Sequence, residues 1–295
     1  MNHYDIVFIG HINTDTIVPF EGSPFVQQGS PILFGSMAAS CLGKRIAVVT
    51  RASESEEYHL EPVKAAGVNL FVQPGKTTEG RVVFPTANVD QRQIFRVKPG
   101  EPFTIGDIPP FEPCLIHIGC FYARGFQPDL MRALKARGHR LSVDMQSFVL
   151  QDDETGAVHL KDVPEKKEIV NMTDFVKLDA VEGKVLTGAD FPQDQAEILE
   201  SWGSSETIIT SSEGAMARSK GKNTFVKFTN RSTQGRMGRG DTFTGAYLAC
   251  RLDHSVEGSL RFAAALTSIK LESVGLFRGS LDDVIARMDR PFLSG

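Results

Sequence analysis

The chain has 295 residues, with 32 Lys and Arg against 36 Asp and Glu for a formal net charge of −4; it is 41% hydrophobic and 23% charged. That balance is globular with ample core material and excludes disorder, collagen and coiled coil. The mild acidity and the lack of any run of five basic residues argue against nucleic acid as a partner. No 18-residue apolar stretch exists to cross a membrane.

In chain order, residues 6–9 read as a buried strand, with no charged leader or cleavage site before it. Cys41, Cys114, Cys120 and Cys250 form no CxxC pair and read as free thiols of a reducing compartment, so a cytoplasmic protein is expected. Further apolar runs at 46–50, 68–72, 115–118, 141–143, 175–178 and 207–210 predict strands buried on both faces. Helical patterns at 37–42, 57–66, 129–137, 180–186 and 196–202 fall between them, and two longer helices, 241–251 and 256–273, close the chain. The last is apolar on more than one side and is expected to lie between other elements. Strands alternating with helices predict a three-layer α/β domain around a mostly parallel sheet. Two segments break the alternation. Residues 11–34 are rich in Pro, Gly and Ser, and residues 79–98 read as strands 80–86 and 92–98 joined by the polar turn 87–91. Both are expected to form a small β lid on a single domain spanning 1–295.

The sharpest local signal is Gly238-Arg239-Gly240-Asp241-Thr242-Phe243-Thr244-Gly245-Ala246. Glycines let backbone N–H groups converge at a helix start, where partial positive charge favours an anion. An Asp at that point is placed to take a proton from an attacking hydroxyl, the pairing phosphoryl transfer needs. Locally, a plain glycine turn with Asp241 as helix N-cap explains the same residues. The Arg239-Gly240-Asp241 adhesion tripeptide does not fit, because the helix that follows would bury it.

Gly-x-Gly-Asp-Thr-Phe ahead of a small-residue helix resembles the C-terminal signature of the ribokinase-like, PfkB-type carbohydrate kinases, possessing further matches in that family's order. Gly10-His11-Ile12-Asn13-Thr14-Asp15 is similar to its substrate-side opening, and Phe34-Gly35-Ser36-Met37-Ala38-Ala39 to its N-terminal glycine-rich motif. Lys177-Leu178-Asp179-Ala180-Val181-Glu182 resembles its Asn-x-x-Glu element, and Thr210-Ser211-Ser212-Glu213-Gly214 its nucleotide loop. The resemblance implies a ribokinase-like fold and ATP-dependent phosphorylation of a hydroxyl. Asp241 would be the general base and the backbone of Gly238, Arg239, Gly240 and Asp241 the anion hole. No Walker A loop precedes Gly43-Lys44, Gly183-Lys184 or Gly221-Lys222.

The same resemblance implies sugar or polyol contacts from Asn13, Asp15, Gly35, Ser36, Asp144 and Gln146. Family members often carry Gly-Gly-Asn where this chain has Phe34-Gly35-Ser36, which removes a usual sugar contact. Asp-x-Gln at Asp144-Met145-Gln146 is similar to inositol-kinase-like branches and tilts the acceptor toward a polyol. It implies Mg²⁺, held mainly through waters, beside Asp179 and Glu182, which lie three apart and share one helix face; Asp179 departs from the family's Asn, and a solvated acidic helix start explains the same pair. Lys177, Thr210, Ser212, Gly214 and Ser268 fall near the nucleotide by family order. Arg239 stands where a small residue is common and is placed either to contact a phosphate bidentately or to point to solvent. Many relatives carry a cation-holding Asp at the position of Gly235, so potassium activation is not expected. Of the seven histidines, His11 alone is placed to line the pocket. A homodimer through the lid sheet is the one assembly the resemblance offers. A nucleoside kinase, which would need an aromatic lid pocket to stack a base, and a non-catalytic sugar or nucleotide sensor are the alternatives.

Overall fold

The continuous apolar runs become the centre of a large sheet. In the computed structural model, which describes residues 3–87, 91–121 and 125–288, β1 (Ile6–Ile9) is buried along its whole length. There follow β2 (Asn13–Val18), β3 (Phe25–Gly29), α1 (Pro31–Ser40), β4 (Ile46–Ala52), a 3₁₀ segment Glu54–Leu60 running into α2 (Glu61–Ala65), and β5 (Asn69–Pro74). Next are β6 (Thr78–Val83), β7 (Gln93–Lys98), β8 (Leu115–Ile118), α3 (Pro128–Ala136), β9 (Arg140–Asp144), α4 (Gln146–Val149) and the short hairpin β10 (Leu150–Asp152) and β11 (Val158–Leu160). The chain continues through α5 (Lys166–Asn171), β12 (Phe175–Asp179), α6 (Ala180–Thr187), α7 (Pro192–Ser201), β13 (Glu206–Thr210), β14 (Gly214–Ser219), β15 (Lys222–Lys227), α8 (Arg239–Arg251), α9 (Val256–Leu271) and α10 (Leu281–Arg287).

Nine strands pair in the order β5-β4-β1-β8-β9-β12-β13-β14-β15. Every pair from β5 to β13 is parallel, while β14 and β15 run antiparallel. Strand side chains alternate between faces. Ile6 and Phe8 therefore enter one core with Phe243 and Phe262 of α8 and α9, and Val7 and Ile9 enter a second with Met131 and Leu199 of α3 and α7. The three layers and the two-sided burial of α9 match the sequence expectation.

A second sheet, β3-β2-β6-β7, is built from the two segments that broke the alternation. Residues 31–34 leave it, however, because Pro31 starts α1 six residues before the predicted 37–42 helix. Pro reads as a loop signal, yet at the first helical position its missing N–H is no loss. Of the polar turn 87–91, residues 88–90 lie outside the described residues. The β14–β15 hairpin went unread: its two-residue turn is Lys220 and Gly221, both at positive φ (51° and 75°), and Lys is an uncommon choice there. All four cysteines are free, and among the described residues no helix is long and apolar enough to cross a membrane.

Helix α8 lies against α1 at unusually close range. A methyl group on Gly245 would overlap the carbonyl oxygen of Gly35, and both residues are buried in the contact. Gly245→Ala gains about 1 kcal/mol in helix propensity but must push two backbones apart, costing about 1–3 kcal/mol. The overpacking term is expected to win, and thermal unfolding should show a lower midpoint; an unchanged or raised midpoint would mean the contact yields freely.

Candidate functional site

The parallel strands all end at one edge of the large sheet, where open α/β folds hold ligands. A cavity of about 530 Å³ opens there, between the strand ends, the second sheet and the start of α8. Asn13 and Asp15 reach it from β2, Lys177 and Asp179 from β12, Thr210 from β13, Gln146 from α4, and residues 233–241 close one side. Asn13 and Asp15 alternate with outward residues on β2 and are only 2% and 4% exposed. Among the described residues the Asn13 side-chain carbonyl has no hydrogen-bond partner, so it is an acceptor held ready for a polar ligand.

Gly238 has φ 74°, and a side chain there would run into the Phe34 ring, so both backbone and space demand glycine. It is the N-cap of α8. Asp241 is therefore the third helical residue and not the cap, which overturns the simple capping alternative. In the first turn the Arg239 amide already donates to the Arg236 carbonyl at 3.2 Å. The amides of Gly240 and Asp241 donate to no main-chain carbonyl among the described residues, and they face the anion-favouring end of the helix. Of the turn expected to hold an anion, Gly238, Arg239, Gly240 and Asp241 all line the cavity, but the Arg239 amide is engaged within the turn.

Behind this turn sits a buried charge pair. Lys177 Nζ donates to Asp144 Oδ2 at 2.8 Å, with both side chains at most 4% exposed. The ammonium also lies close under Gly240, 3.0 Å from where a Cβ would be. Burial opposes the charge on Lys177, but the carboxylates of Asp144, Glu182 and Asp241 together hold its pKa well above the ordinary value. Asp241 is half-buried at the cavity wall. Burial, helped by the Asp144 charge and opposed by Lys177 and Lys270, pushes its carboxyl up to about 6.

Several expected residues are not brought into this cavity. Gly35 and Ser36 lie inside α1, where they pack between helix and sheet instead of offering backbone to a substrate. Asp144 is consumed by Lys177 and by the Gln146 amide, which donates to it at 3.1 Å, so only Gln146 of that pair faces the cavity. Ser212 is exposed in the β13–β14 turn and Gly214 is pressed against the backbone of β15. Ser268 donates to the Ala264 carbonyl and accepts from the Thr229 amide. His11 is held by Cys120 Sγ and the Glu101 carbonyl, away from the cavity lining. Of the nucleotide-side residues, Lys177 and Thr210 do line it.

Asp179 and Glu182 form a reciprocal capping box on α6. Asp179 Oδ1 accepts from the Val181 and Glu182 amides, each at 2.8 Å, and Glu182 Oε2 accepts from the Asp179 amide. Burial and the adjacent Asp179 raise the Glu182 carboxyl to about 8. Among the described residues no three His, Cys, Asp or Glu side chains converge as a metal site. Of the two, Asp179 alone reaches the cavity.

Sequence reading missed Lys270, Arg236, Met237 and Phe34, all of which line the cavity. Only Lys270 carried a signal, as a lone cation in the otherwise uncharged C-terminal half of α9.

A family model described as pfkB family carbohydrate kinase matches residues 36–282. A cytidine kinase of Thermococcus kodakarensis is 25% identical over 257 residues, covering 83% of this chain and 87% of the relative. The structure of a pyrophosphate-dependent kinase in the ribokinase family, complexed with a pyrophosphate analog and myo-inositol, superposes with a TM-score of 0.87 at 27% identity. That match covers 95% of this chain and 99% of the other. Arabidopsis thaliana ribokinase complexed with ribose and ATP gives a TM-score of 0.75 at 17% identity over 98% of this chain and 100% of the other, a likeness of fold alone.

Proposed function

Because this ribokinase-like chain belongs to the pfkB family of carbohydrate kinases, we propose that it phosphorylates a hydroxyl of a polyol, inositol-like, from a phosphoanhydride donor, ATP or pyrophosphate. The observation that carries this reading is one cavity shared by Asp241, the amides at the start of α8, and the buried pair Asn13 and Asp15. Asn13 and Asp15 would accept from acceptor hydroxyls and hold one in line with the terminal phosphoryl group. Asp241 takes the hydroxyl proton as the new O–P bond forms and the anhydride O–P bond breaks. The Gly240 and Asp241 amides, with Arg236 and Arg239 in the same wall, would balance charge on the transferred group. No step is assigned to a metal; Mg²⁺ would travel on the donor phosphates, with Asp179 in the cavity wall placed to reach it through water.

Pyrophosphate stands beside ATP because Ser212, Gly214 and Ser268 do not line the cavity, while the cationic side chains cluster at the glycine turn. The kinase complexed with myo-inositol supports the polyol. A nucleoside acceptor is the second reading: Phe25, Phe84 and Phe121 in the cavity wall supply ring faces for a base, and the 25%-identical relative is a cytidine kinase. The small sheet would act as a lid that excludes water. Its exposed Val26 and Val97 are the surface a homodimer would use. Free thiols suit the cytoplasm.

The test is product formation with ATP or pyrophosphate, each with Mg²⁺, against myo-inositol, ribose and cytidine. Transfer to myo-inositol supports the first reading and transfer to cytidine alone the second; binding of donor and acceptor without transfer would indicate a sensor and overturn both. Turnover should also fall with a midpoint near pH 6 on the acid side, because Asp241 accepts a proton only when ionised and burial raises its carboxyl to about 6. An acid limb near pH 4 would mean that the base is a solvated carboxylate elsewhere.

A further inference from the structure

Lys270 is a cation that the phosphoryl-transfer scheme above leaves unused. It lies on α9, one turn after the buried Leu266 and Thr267, and is only 1% exposed. Taking an ammonium out of water is costly unless its donors are satisfied. Here Nζ donates to the main-chain carbonyls of Gly235 and Met237, and it lies 4.8 Å from the centre of the Phe34 ring. Two oxygens and an aromatic face make a cation-binding pocket. The loop itself supplies no acid: a side chain on Gly235 would collide with the Ser273 and Lys270 carbonyls.

Both gathered carbonyls belong to the segment that leads directly into Gly238, and Phe34, which covers the ammonium, is also the ring that forbids a side chain on Gly238. One head group therefore sets the path of residues 235–237 and, through the peptide planes that follow, the direction in which the Gly240 and Asp241 amides point. The same side chain reaches the cavity wall beside Asp241, whose charge favours the ammonium although burial lowers its pKa to about 8. We propose that Lys270 is the positioning residue of the donor site: its ammonium ties the 235–237 loop so that the first-turn amides of α8 are aimed at the donor phosphate. The inference deepens the kinase reading and rests on it for the identity of the donor.

Lys270→Met keeps the length of the side chain and removes charge and donors. Pyrophosphate binding by calorimetry should weaken at least about tenfold, the worth of a charge-assisted hydrogen bond, and in turnover assays the donor KM should rise while the acceptor KM stays within about twofold. Lys270→Ala should recover donor binding and turnover when propylammonium is added, a rescue that a purely space-filling lysine would not show. A folded Met variant that binds pyrophosphate like the wild type overturns the proposal. Should the Met variant misfold, the Ala variant decides: recovery with propylammonium supports it and no recovery overturns it. A wild type that binds pyrophosphate but transfers no phosphoryl group overturns the kinase reading alone, since the calorimetric comparison still judges Lys270.

Discussion

Asp241→Asn is expected to lower turnover by roughly 10² to 10⁴, the usual worth of a general base, while leaving donor binding intact. The substitution preserves shape and the helix start, because Gly238 and not Asp241 caps α8. It also carries an expected gain. The Asp241 carboxyl titrates near 6 in the folded chain, above its ordinary 3.8, so the ionised group opposes folding. That cost is absent below about pH 4, grows between the two values and is complete above pH 6. Asn removes it, so at pH 8 the variant should be more stable by about 3 kcal/mol, and the difference should vanish as the pH falls toward 4. Denaturant unfolding at both pH values checks the sign. A variant with near-normal turnover would remove Asp241 from the mechanism, and a variant less stable at pH 8 would contradict the burial argument.

Lys177→Met is expected to be the most destabilising single change at the site. It strands the Asp144 carboxylate, whose side chain is 1% exposed and whose charged partner is Lys177 Nζ at 2.8 Å. Breaking a buried pair from one side costs about 3–5 kcal/mol, because the remaining charge is left without compensation. Asp144→Asn added to Lys177→Met removes that charge and still accepts from the Gln146 amide, which presently donates to Asp144 Oδ1. The double variant should therefore recover more than half of the loss, a non-additivity that marks direct coupling. Urea unfolding of the two singles and the double measures it. A single variant within 1 kcal/mol of the wild type would mean that water reaches Asp144.

The two buried lysines show where reading the chain stops. Lys177 came to notice through its place in a family motif and was expected beside a nucleotide; its position under Gly240 and its pairing with Asp144, thirty-three residues earlier, are products of β9 and β12 lying side by side. Asp144 itself reads as a polar strand end ready for a hydroxyl, and only the neighbouring strand turns it into a counter-ion. Asp179 and Glu182 share a helix face, as their spacing requires, yet whether that face holds a metal or closes a capping box depends on side-chain rotation that spacing does not encode.

What the chain determines by itself is local and periodic. Apolar runs of strand length between helical stretches dictate a parallel sheet covered on both faces, and the boundaries of β1 and β8 fall where the apolar residues begin and end. Gly-x-Gly-Asp at a helix start dictates an anion-favouring turn with an acid beside it, and Asp241 lines the cavity accordingly. The tertiary structure alone decided which strand ends meet, that Gly35 and Gly245 come together where α1 packs on α8, and that Lys270, far along α9, gathers the loop before Gly238. The physical reason is that periodicity and capping act over one helical turn or one strand. The electrostatics of a buried site are summed over groups within a few ångströms in space, whatever their separation along the chain.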